Sequence, residues 1–409
     1  MKEIKSDVVI IGAGPAGAVA GALLARNGWR VSIVEREMFP RFSIGESLLA
    51  QCMESLENAD MLEAVKSAGF QFKNGAAFEC GGARTSFDFR EKFSPGHGTT
   101  FQVQRAKFDK ILADEAERQG VIIYYRHSIV SVDISENSAE LIAEHNGEKL
   151  AFYGRFVLDA SGFGRVLPKF LDLDRPSEFP VRESVFTHVE DNITDNNFDR
   201  DKILITVHPS ERDIWYWLIP FADGRASIGV VGEKEKIAAW GQEPEQILKG
   251  AISSAPSLEK TLRHAKFDSE IQRIRGYSSN VTKLAGPGFA LLGNAGEFLD
   301  PVFSSGVTIA MKSSELAAEC LHRQLSGETV DWDKEFSEPL KHGVEVFKTY
   351  VKAWYDGRFQ DVIFYQTEQK EIKRMICSIL AGYAWDKKNP FVVAAERRLN
   401  TLVEICSAG

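Results

Sequence analysis

The run DVVIIGAGPAGAVAGALLARNGWRVSIVERE (residues 7–37) constrains the fold more than any other feature of the sequence. It has the pattern of an apolar strand, a glycine-rich turn, an alanine-rich helix and a second strand ending in an acid, which predicts a βαβ unit. Gly12 permits the tight turn, Gly14 lets the backbone approach a pyrophosphate, and Gly17 lets the helix pack on the strand. Glu35 lies where such units place the acid that binds a ribose hydroxyl. We therefore predict a dinucleotide site formed by Gly12, Gly14, Pro15, Ala16, Gly17, Glu35 and Arg36.

The composition favours a globular protein that handles small molecules. The chain has 409 residues, enough for two or three domains of about 150 residues each. Hydrophobic residues make up 44% and charged residues 26%, which argues against a disordered or fibrous class. The formal net charge of −9 argues against a nucleic-acid partner, because phosphate binding needs clustered Lys and Arg.

Signals for export, membrane insertion and metal binding are missing from the sequence pattern. The N-terminus enters a strand-like run at once, and no apolar stretch approaches the roughly 20 residues of a membrane helix. We expect a cytoplasmic protein without integral membrane association. The eight histidines show no ligand spacing, and we predict no metal. The five cysteines are scattered and are expected to be reduced: Cys52, Cys80, Cys320, Cys377 and Cys406.

The segment DIWYWLIP (213–220) predicts a strand with unusual ring area. Since side chains alternate along a strand, Trp215 and Trp217 share one face and Tyr216 points to the other. Asp223-Gly224 follows and predicts a tight hairpin turn with positive φ angles. Two interpretations remain at this point: a sheet face packed on a core, or a functional wall of rings.

Six blocks of the chain stand out in order: FPRFSIGESLL (39–49), GFQFKNGAAF (69–78), QRAKFDKIL (104–112), LDASGFGR (158–165), WYWLIP (215–220) and GNAGEFLDPVFSSGVTIA (293–310). Together they resemble flavin-dependent halogenases of the phenol and pyrrole type, and the resemblance runs from residue 6 to about residue 325. Such halogenases have the p-hydroxybenzoate-hydroxylase-like FAD oxidoreductase fold, and geranylgeranyl-reductase-like flavoproteins share much of that fold.

The resemblance implies an α/β fold. A Rossmann-type FAD-binding domain would be interleaved with an antiparallel-sheet substrate domain, and a helical C-terminal segment would follow. The expected boundaries place the FAD-binding domain at 1–68, 101–175 and 276–329, the substrate domain at 69–100 and 176–275, and the helical segment at 330–409.

Further FAD-binding residues follow from the resemblance. Arg105 would bring a cation to the cofactor's ribityl-phosphate region, although any exposed helix start tolerates an arginine. Asn294 stands where enzymes of this fold carry the acid of a Gly-Asp pair. The other residues implied to lie against the cofactor are Ser47, Asp159, Gly162, Pro301 and Gly306.

The segment FLDPVFSSG (298–306) implies a halide site. Related halogenases place chloride beside the backbone N–H groups that match Ser305 and Gly306, within the signature Phe298, Pro301, Ser304 and Gly306. An N-capping serine is the structural alternative. Phe303 replaces the glutamate that tryptophan halogenases carry there, which disfavours free tryptophan and favours a phenol, resorcinol or pyrrole.

The same resemblance gives the rings and one lysine a role. Trp215, Trp217, Ile219 and Pro220 match a halogenase motif that would keep the substrate away from the flavin. Lys73 matches the catalytic lysine that guides hypochlorous acid to the substrate. A solvated surface lysine is the alternative.

The C-terminal segment has an aromatic helix face made of Phe347, Tyr350 and Trp354, at i, i+3 and i+7. This face either docks on the main body or acts as a substrate lid.

The expected activity is halogenation of an electron-rich aromatic, free or carrier-bound, with reduced FAD, oxygen and halide. A separate flavin reductase is the expected partner, since no second dinucleotide fingerprint is visible, and an acyl-carrier protein is a candidate partner. The alternatives are an aromatic hydroxylase (a flavin monooxygenase), a geranylgeranyl-reductase-like flavoprotein, and a flavin-binding protein without catalysis.

Overall fold

The computed structural model describes residues 1–365 and 369–408, which form two large sheets and a helical C-terminal region. The strands, numbered along the chain, are β1 (Lys2–Lys5), β2 (Val8–Ile11), β3 (Val31–Val34), β4 (Gln71–Lys73), β5 (Gly75–Cys80), β6 (Ala83–Asp88), β7 (Thr100–Gln102), β8 (Ile122–Tyr124), β9 (Ser128–Ser135), β10 (Ser138–His145), β11 (Glu148–Gly154), β12 (Phe156–Asp159), β13 (Asp174–Arg175), β14 (Arg182–Glu190), β15 (Lys202–Val207), β16 (Trp215–Pro220), β17 (Arg225–Glu233), β18 (Gln272–Arg275), β19 (Asn280–Val281), β20 (Ala285–Gly286) and β21 (Phe289–Leu291). The helices are α1 (Pro15–Arg26), α2 (Cys52–Asn58), α3 (Leu62–Ser67), α4 (Arg105–Arg118), α5 (Val166–Phe170), α6 (Lys234–Ile237), α7 (Pro244–Ser253), α8 (Pro256–Thr261), α9 (Gly306–Leu325), α10 (Glu338–Tyr355), α11 (Arg358–Ile363), α12 (Lys370–Leu380), α13 (Pro390–Val393) and α14 (Ala395–Ala408).

The first large sheet contains the predicted βαβ unit. Its strand order is β20-β21-β12-β2-β3-β8, and all pairs are parallel except the edge pair β20–β21. Strand β2 is fully buried, as expected for a continuous apolar run with helices covering the sheet. Helix α1 follows it and packs against both α4 and α9.

The second large sheet has the order β18-β14-β17-β16-β15-β5-β6. It is antiparallel except where β15 runs parallel to β5. Its strands all come from 75–88 and 182–275. The mixed α/β fold with a predominantly antiparallel second sheet is therefore as predicted.

Strand β16 carries the two tryptophans and alternates as predicted. Trp215, Trp217 and Ile219 belong to the core shared with the first sheet, whereas Tyr216 and Leu218 belong to a separate core on the opposite face. The hairpin to β17 also forms. The loop spans residues 221–224, and of the predicted Asp223-Gly224 pair only Gly224 has a positive φ, at 79°.

A smaller four-stranded sheet, β1-β11-β10-β9, flanks the first large sheet. Strand β1 joins it in parallel with β11, although the two are far apart in the chain. Two short ladders, β13–β19 and β4–β7, complete the strand pairing. In the part of the chain described, no helix is long and apolar enough to span a bilayer.

The aromatic face of α10 docks on the main body. Phe347, Tyr350 and Trp354 are each completely buried. The Trp354 ring lies 5.8 Å from that of Phe78 in β5 and 5.9 Å from that of Phe303, which precedes α9. This face is therefore part of the core, and the lid interpretation does not hold for it.

Replacing Trp354 with Ala should lower the free energy of unfolding by about 3–5 kcal/mol, because it removes a large ring from a packed core. Val393→Ala is the control, since Val393 is 59% exposed and should change the value by no more than about 0.5 kcal/mol. Denaturant unfolding followed by circular dichroism measures both. Equal stability of the two variants would contradict this account of the C-terminal region.

Candidate active site

A cavity of about 560 Å³ lies where the two large sheets meet. It is lined by most of the residues predicted to bind the cofactor: Gly12, Gly14, Pro15, Ala16, Glu35, Arg36, Ser47, Arg105, Gly162, Asn294, Pro301 and Gly306. It is also lined by three of the four predicted wall residues, namely Trp215, Trp217 and Ile219. Five other predicted site residues do not line this cavity: Gly17, Asp159, Pro220, Ser305 and Lys73.

The glycine turn leaves an open cradle at the start of α1. A Cβ on Gly12, whose φ is +94°, would lie 2.6 Å from the Ala160 carbonyl oxygen, and one on Gly17 would lie 1.9 Å from the Gly12 oxygen. A Cβ on Gly14 would meet only an Arg41 nitrogen, at 3.4 Å. The first N–H groups of α1 have no partner within the helix and face this gap. The turn therefore fits a pyrophosphate.

Glu35 is held in place by backbone donors. One carboxylate oxygen accepts a hydrogen bond from the Ala13 N–H at 2.8 Å, and the other accepts from the Glu37 N–H at 2.9 Å. The side chain is buried yet lines the cavity. The carboxylate is thus fixed at the end of β3 and keeps acceptor capacity for ribose hydroxyls.

Two arginines share one buried acid beside this cradle. Arg105 donates to both oxygens of Asp109, at 2.7 and 3.0 Å, and also to the Ile44 carbonyl. Arg41 donates to the same carboxylate at 3.0 Å. Arg105 is buried, so the surface-arginine alternative is wrong. The sequence reasoning missed Asp109, although its i+4 spacing from Arg105 was a usable signal.

Asp159 shapes a turn instead of lining the cavity. Its carboxylate accepts hydrogen bonds from the N–H groups of Ser161 at 2.9 Å and Leu167 at 2.6 Å. Burial raises the pKa of this carboxyl above its ordinary value. The adjoining Gly162, with φ of +59°, does line the cavity. Arg165, which the sequence reasoning also missed, ties this turn to the Asn294 carbonyl at 3.2 Å.

The turn that opens α9 contains a left-handed residue, Ser304, with φ of +55°. Ser305 occupies the N-cap position, but its side chain makes no capping hydrogen bond. The interpretation of a serine that merely caps the helix is therefore not supported. Ser304 and Gly306 line the cavity, whereas Ser305 is buried behind them.

The two tryptophans belong to the core and to the cavity wall at once. Their ring centroids are 6.0 Å apart. Trp217 donates its indole N–H to Ser227 at 3.0 Å, and Trp215 donates to the Tyr355 hydroxyl at 2.9 Å. A Cβ on Gly229 would lie 2.3 Å from the Trp217 ring, so a glycine on β17 makes room for that indole.

Lys73 is fully buried at the end of β4. Its Nζ donates to the Leu48 carbonyl at 2.7 Å and lies 5.2 Å from the centre of the Phe89 ring. Burial lowers the pKa of this amine to about 7. The surface-lysine alternative is wrong. Because Leu48 directly follows Ser47, the amine lies one residue behind the cavity lining.

The surroundings of Lys73 extend to the first turn of α9. The amine interacts electrostatically with Cys52, whose sulfur lies 3.1 Å from the Thr308 hydroxyl. Thr308 is two residues beyond Gly306. Among the described residues, no group of three or more His, Cys, Asp or Glu side chains is placed to hold a metal.

Comparisons with known proteins agree on one family and fold. The sequence model of the family described as "FAD binding domain" matches residues 5–330. The chain is 33% identical over 338 residues to a tryptophan 2-halogenase of Chondromyces crocatus, covering 79% of this chain and 62% of that protein. It is 27% identical over 396 residues to a 1H-pyrrole-2-carbonyl-[peptidyl-carrier protein] brominase of Pseudoalteromonas luteoviolacea, covering 94% of each.

Two solved structures are similar along nearly the whole chain. One is a flavoprotein/dehydrogenase from Cytophaga hutchinsonii, with 43% identity, a TM-score of 0.96 and 99% coverage of both chains. The other is a myxobacterial chondrochloren halogenase, with 26% identity, a TM-score of 0.75 and coverage of 98% of this chain and 97% of that one. The open glycine cradle, Glu35 and the paired arginines fit the FAD that such proteins bind.

Gly14→Ala should fold normally but weaken FAD binding by about tenfold or more, which is about 1.4 kcal/mol. The added methyl would project into the cradle and meet only the end of a flexible side chain. Gly17→Ala is the matched contrast, since its methyl would collide with backbone and should destabilise the apoprotein. Flavin titration and thermal melting separate the two effects. Unchanged FAD affinity in Gly14→Ala would remove the cradle from the cofactor site.

Proposed function

The chain belongs to the FAD-binding domain family, and from that premise we propose that it is a flavin-dependent halogenase acting on an electron-rich aromatic. The observation that carries this proposal is Lys73. It is a fully buried lysine that makes no ion pair with any described residue; its amine donates to the Leu48 carbonyl and interacts electrostatically with Cys52. An unpaired buried lysine is costly unless it is neutral or functional.

The residues around the cavity fit FAD. Gly12, Gly14 and the N-terminus of α1 would hold the pyrophosphate, and Glu35 would hold the ribose. When bound and reduced, FAD supplies with O₂ the two-electron oxidation of halide to hypohalous acid. The backbone N–H groups of Ser305 and Gly306 would hold the halide at the positive end of α9.

The wall of rings determines what can meet the cofactor. Trp215 and Trp217 fill the cavity side of β16 and are locked by hydrogen bonds to Tyr355 and Ser227. Rigid indoles at this position would exclude a planar substrate while a small halide or hypohalous acid still passes.

Lys73 would then transfer the halogen. As a neutral amine it displaces water from hypohalous acid to give an N-halo amine and H₂O. The aromatic carbon takes the halogen from nitrogen, and the proton lost from that carbon restores the amine. Because burial lowers the pKa of Lys73 to about 7, the neutral form is available near neutral pH.

A phenolic or pyrrolic ring is the proposed substrate. Phe303, buried against Trp354 and Phe359, provides apolar packing and no charge before α9. The brominase relative acts on a pyrrole held by a carrier protein, whereas another relative acts on tryptophan. A separate flavin reductase would supply reduced FAD.

The second candidate is an aromatic hydroxylase or related flavin oxidoreductase that takes NAD(P)H directly. It is favoured by one observation, the 43% identical structure described as a flavoprotein/dehydrogenase. NADPH oxidation by the purified FAD-loaded protein alone distinguishes this candidate, because the halogenase proposal needs a reductase.

Lys73→Ala should retain FAD binding and flavin reoxidation but lose halogenated product by at least about 100-fold, the scale of a lost catalytic group. Lys73→Arg should fail equally, because a guanidinium stays protonated. The assay supplies reduced FAD, O₂ and bromide and analyses brominated phenol by mass spectrometry. Lys348→Met is the control, since that buried lysine is paired with Glu178 and Glu345. Near-normal product from Lys73→Ala would refute the assignment.

The protonation of Lys73 gives the same assignment a second test. Product formation should rise with pH through about 7, as the amine becomes neutral. Between pH 7 and 10.5 the unfolded chain binds more protons at this site than the folded one, so its contribution to unfolding free energy rises with pH. Lys73→Met should lack that rise in denaturant unfolding. A flat wild-type profile in both measurements would contradict a depressed lysine pKa.

The Trp215→Phe/Trp217→Phe double variant should bind FAD yet release more hydrogen peroxide or form hydroxylated product, because smaller rings open the wall. Tyr216→Phe is the matched control, since Tyr216 lies on the opposite face of β16 and bonds the Ala251 carbonyl. Peroxide assay and product analysis measure both variants. An unchanged product profile in a folded double variant assigns the tryptophans to packing alone.

A further inference from the structure

Three aromatic side chains connect the active-site cavity to a separate outer recess. Trp217 and Trp215 line the cavity, and their ring centroids are 6.0 Å apart. Trp215 donates its indole N–H to the Tyr355 hydroxyl at 2.9 Å. Tyr355 is half-buried and lines a recess of about 370 Å³. The ring contact and the hydrogen bond therefore form a continuous chain from the cavity to the recess.

The chain is made of side chains that lose a single electron readily. Indoles and phenols do so far more easily than the phenyl ring of phenylalanine, which Trp217 also meets, at Phe186, 5.7 Å away. Trp217 donates its own N–H to the hydroxyl of Ser227, a group that is not oxidised under these conditions. The route along which an oxidised indole can be repaired thus leads through Trp215 to Tyr355.

Tyr355 has a proton acceptor in place. Burial raises the pKa of its hydroxyl well above the ordinary value, so the phenol keeps its proton until the ring is oxidised. Its O–H donates to the Asp300 carboxylate at 2.9 Å. The Arg182 guanidinium lies 3.3 Å from the centre of the Tyr355 ring. A second buried positive charge beside this cation is costly, so the ring can lose an electron only as its proton leaves.

Asp300 is suited to take that proton. The carboxyl is 2% exposed and accepts a further hydrogen bond from the Val302 N–H at 3.0 Å. Burial raises its pKa to about 6, although the positive charge of Arg182 acts in the opposite direction. At neutral pH the group is therefore mainly a carboxylate, and it binds a proton more readily than an ordinary exposed aspartate does.

We propose that Trp217, Trp215 and Tyr355 form a relay that carries oxidising equivalents out of the cavity and so protects the active site from oxidative damage. A one-electron oxidant in the cavity, of the class of oxygen- or halogen-centred radicals, takes an electron from an indole and leaves an indole radical cation. Tyr355 returns the electron to the indole and gives its proton to the Asp300 carboxylate. A neutral phenoxyl radical remains beside the recess.

The relay is reset from solution. A thiolate that enters the recess gives one electron to the phenoxyl radical and becomes a thiyl radical, while Asp300 returns the proton to the Tyr355 oxygen. Atoms and charge balance in both steps. The inference needs a bound flavin as the source of oxidants, but it does not depend on halogenation.

A laser flash absorbed by oxidised FAD in the loaded protein tests the relay without turnover, halide or substrate, because the excited flavin acts as the one-electron oxidant. Transient absorption should show an indole radical that decays as a phenoxyl radical appears. Tyr355→Phe should abolish the phenoxyl signal and lengthen the life of the indole radical several-fold. Trp215→Phe should also abolish the phenoxyl signal, although Tyr355 is still present.

Tyr277→Phe is the matched control. Tyr277 lines the same cavity, but its hydroxyl interacts with Ser184, so this variant should keep the phenoxyl signal. Absence of a phenoxyl signal in the wild-type protein overturns the proposal whether or not the variants fold. Survival of the signal in Tyr355→Phe, or its loss in Tyr277→Phe, overturns it as well.

Protection has its own readout. After incubation with reduced FAD, O₂ and a thiol, peptide mass spectrometry should find several-fold more oxygenated Trp215 and Trp217 in Tyr355→Phe than in the wild type. Equal oxygenation in both proteins would overturn the protective role. A relay that works in a protein producing no hypohalous acid would leave this inference standing and sink the halogenase proposal. Halogenation without a phenoxyl signal would do the reverse.

Discussion

The close approach of three backbone segments at the glycine turn is the constraint on which the active site depends. The positions that Cβ atoms of Gly12 and Gly17 would take are occupied by carbonyl oxygens of Ala160 and Gly12. Helix α1 therefore starts against the end of β2 and beside the turn after β12. Ser314 on α9 donates to the Ala16 carbonyl at 2.8 Å and holds the third element of the site to the same helix. With these contacts fixed, the cradle above Gly14 stays open.

Charge placement around the cavity then separates structural groups from functional ones. Asp109 accepts hydrogen bonds from both Arg41 and Arg105, so these charges are compensated by ion pairs of good geometry. Lys73 and Arg182 are buried, and neither makes an ion pair with a described residue. Lys73 avoids the free-energy cost of a buried charge because its amine loses the proton near neutral pH. An arginine cannot do this, since its guanidinium stays protonated. Arg182 keeps its charge and instead stacks on the Tyr355 ring within the field of Asp300.

Local patterns predicted what depends on local sequence. The βαβ unit, the alternation of Trp215 and Trp217 with Tyr216, and the packed aromatic face of α10 follow from periodicity and glycine placement. The width of the 221–224 loop did not, since Asp-Gly is compatible with several turn types. The family resemblance named Lys73 but not the fact that it lies behind Leu48. The role of Asp159 could not be predicted from the sequence either. Only its hydrogen-bond partners show that the carboxylate stabilises a turn instead of lining the cavity.

The groups that sequence reasoning missed are those that converge from distant parts of the chain. Arg182 lies on β14 and Tyr355 on α10, whereas Tyr277 and Asp300 lie in loops, and no spacing rule joins the four residues. Tyr355 connects several of these groups. Its hydroxyl accepts a hydrogen bond from Trp215 and donates one to Asp300, and its ring stacks against Arg182. Because Tyr355 ends α10, the helical C-terminal region contacts the wall of rings, the loop before α9 and Arg182. The C-terminal region therefore supports the wall of rings through Tyr355, in addition to packing in the core.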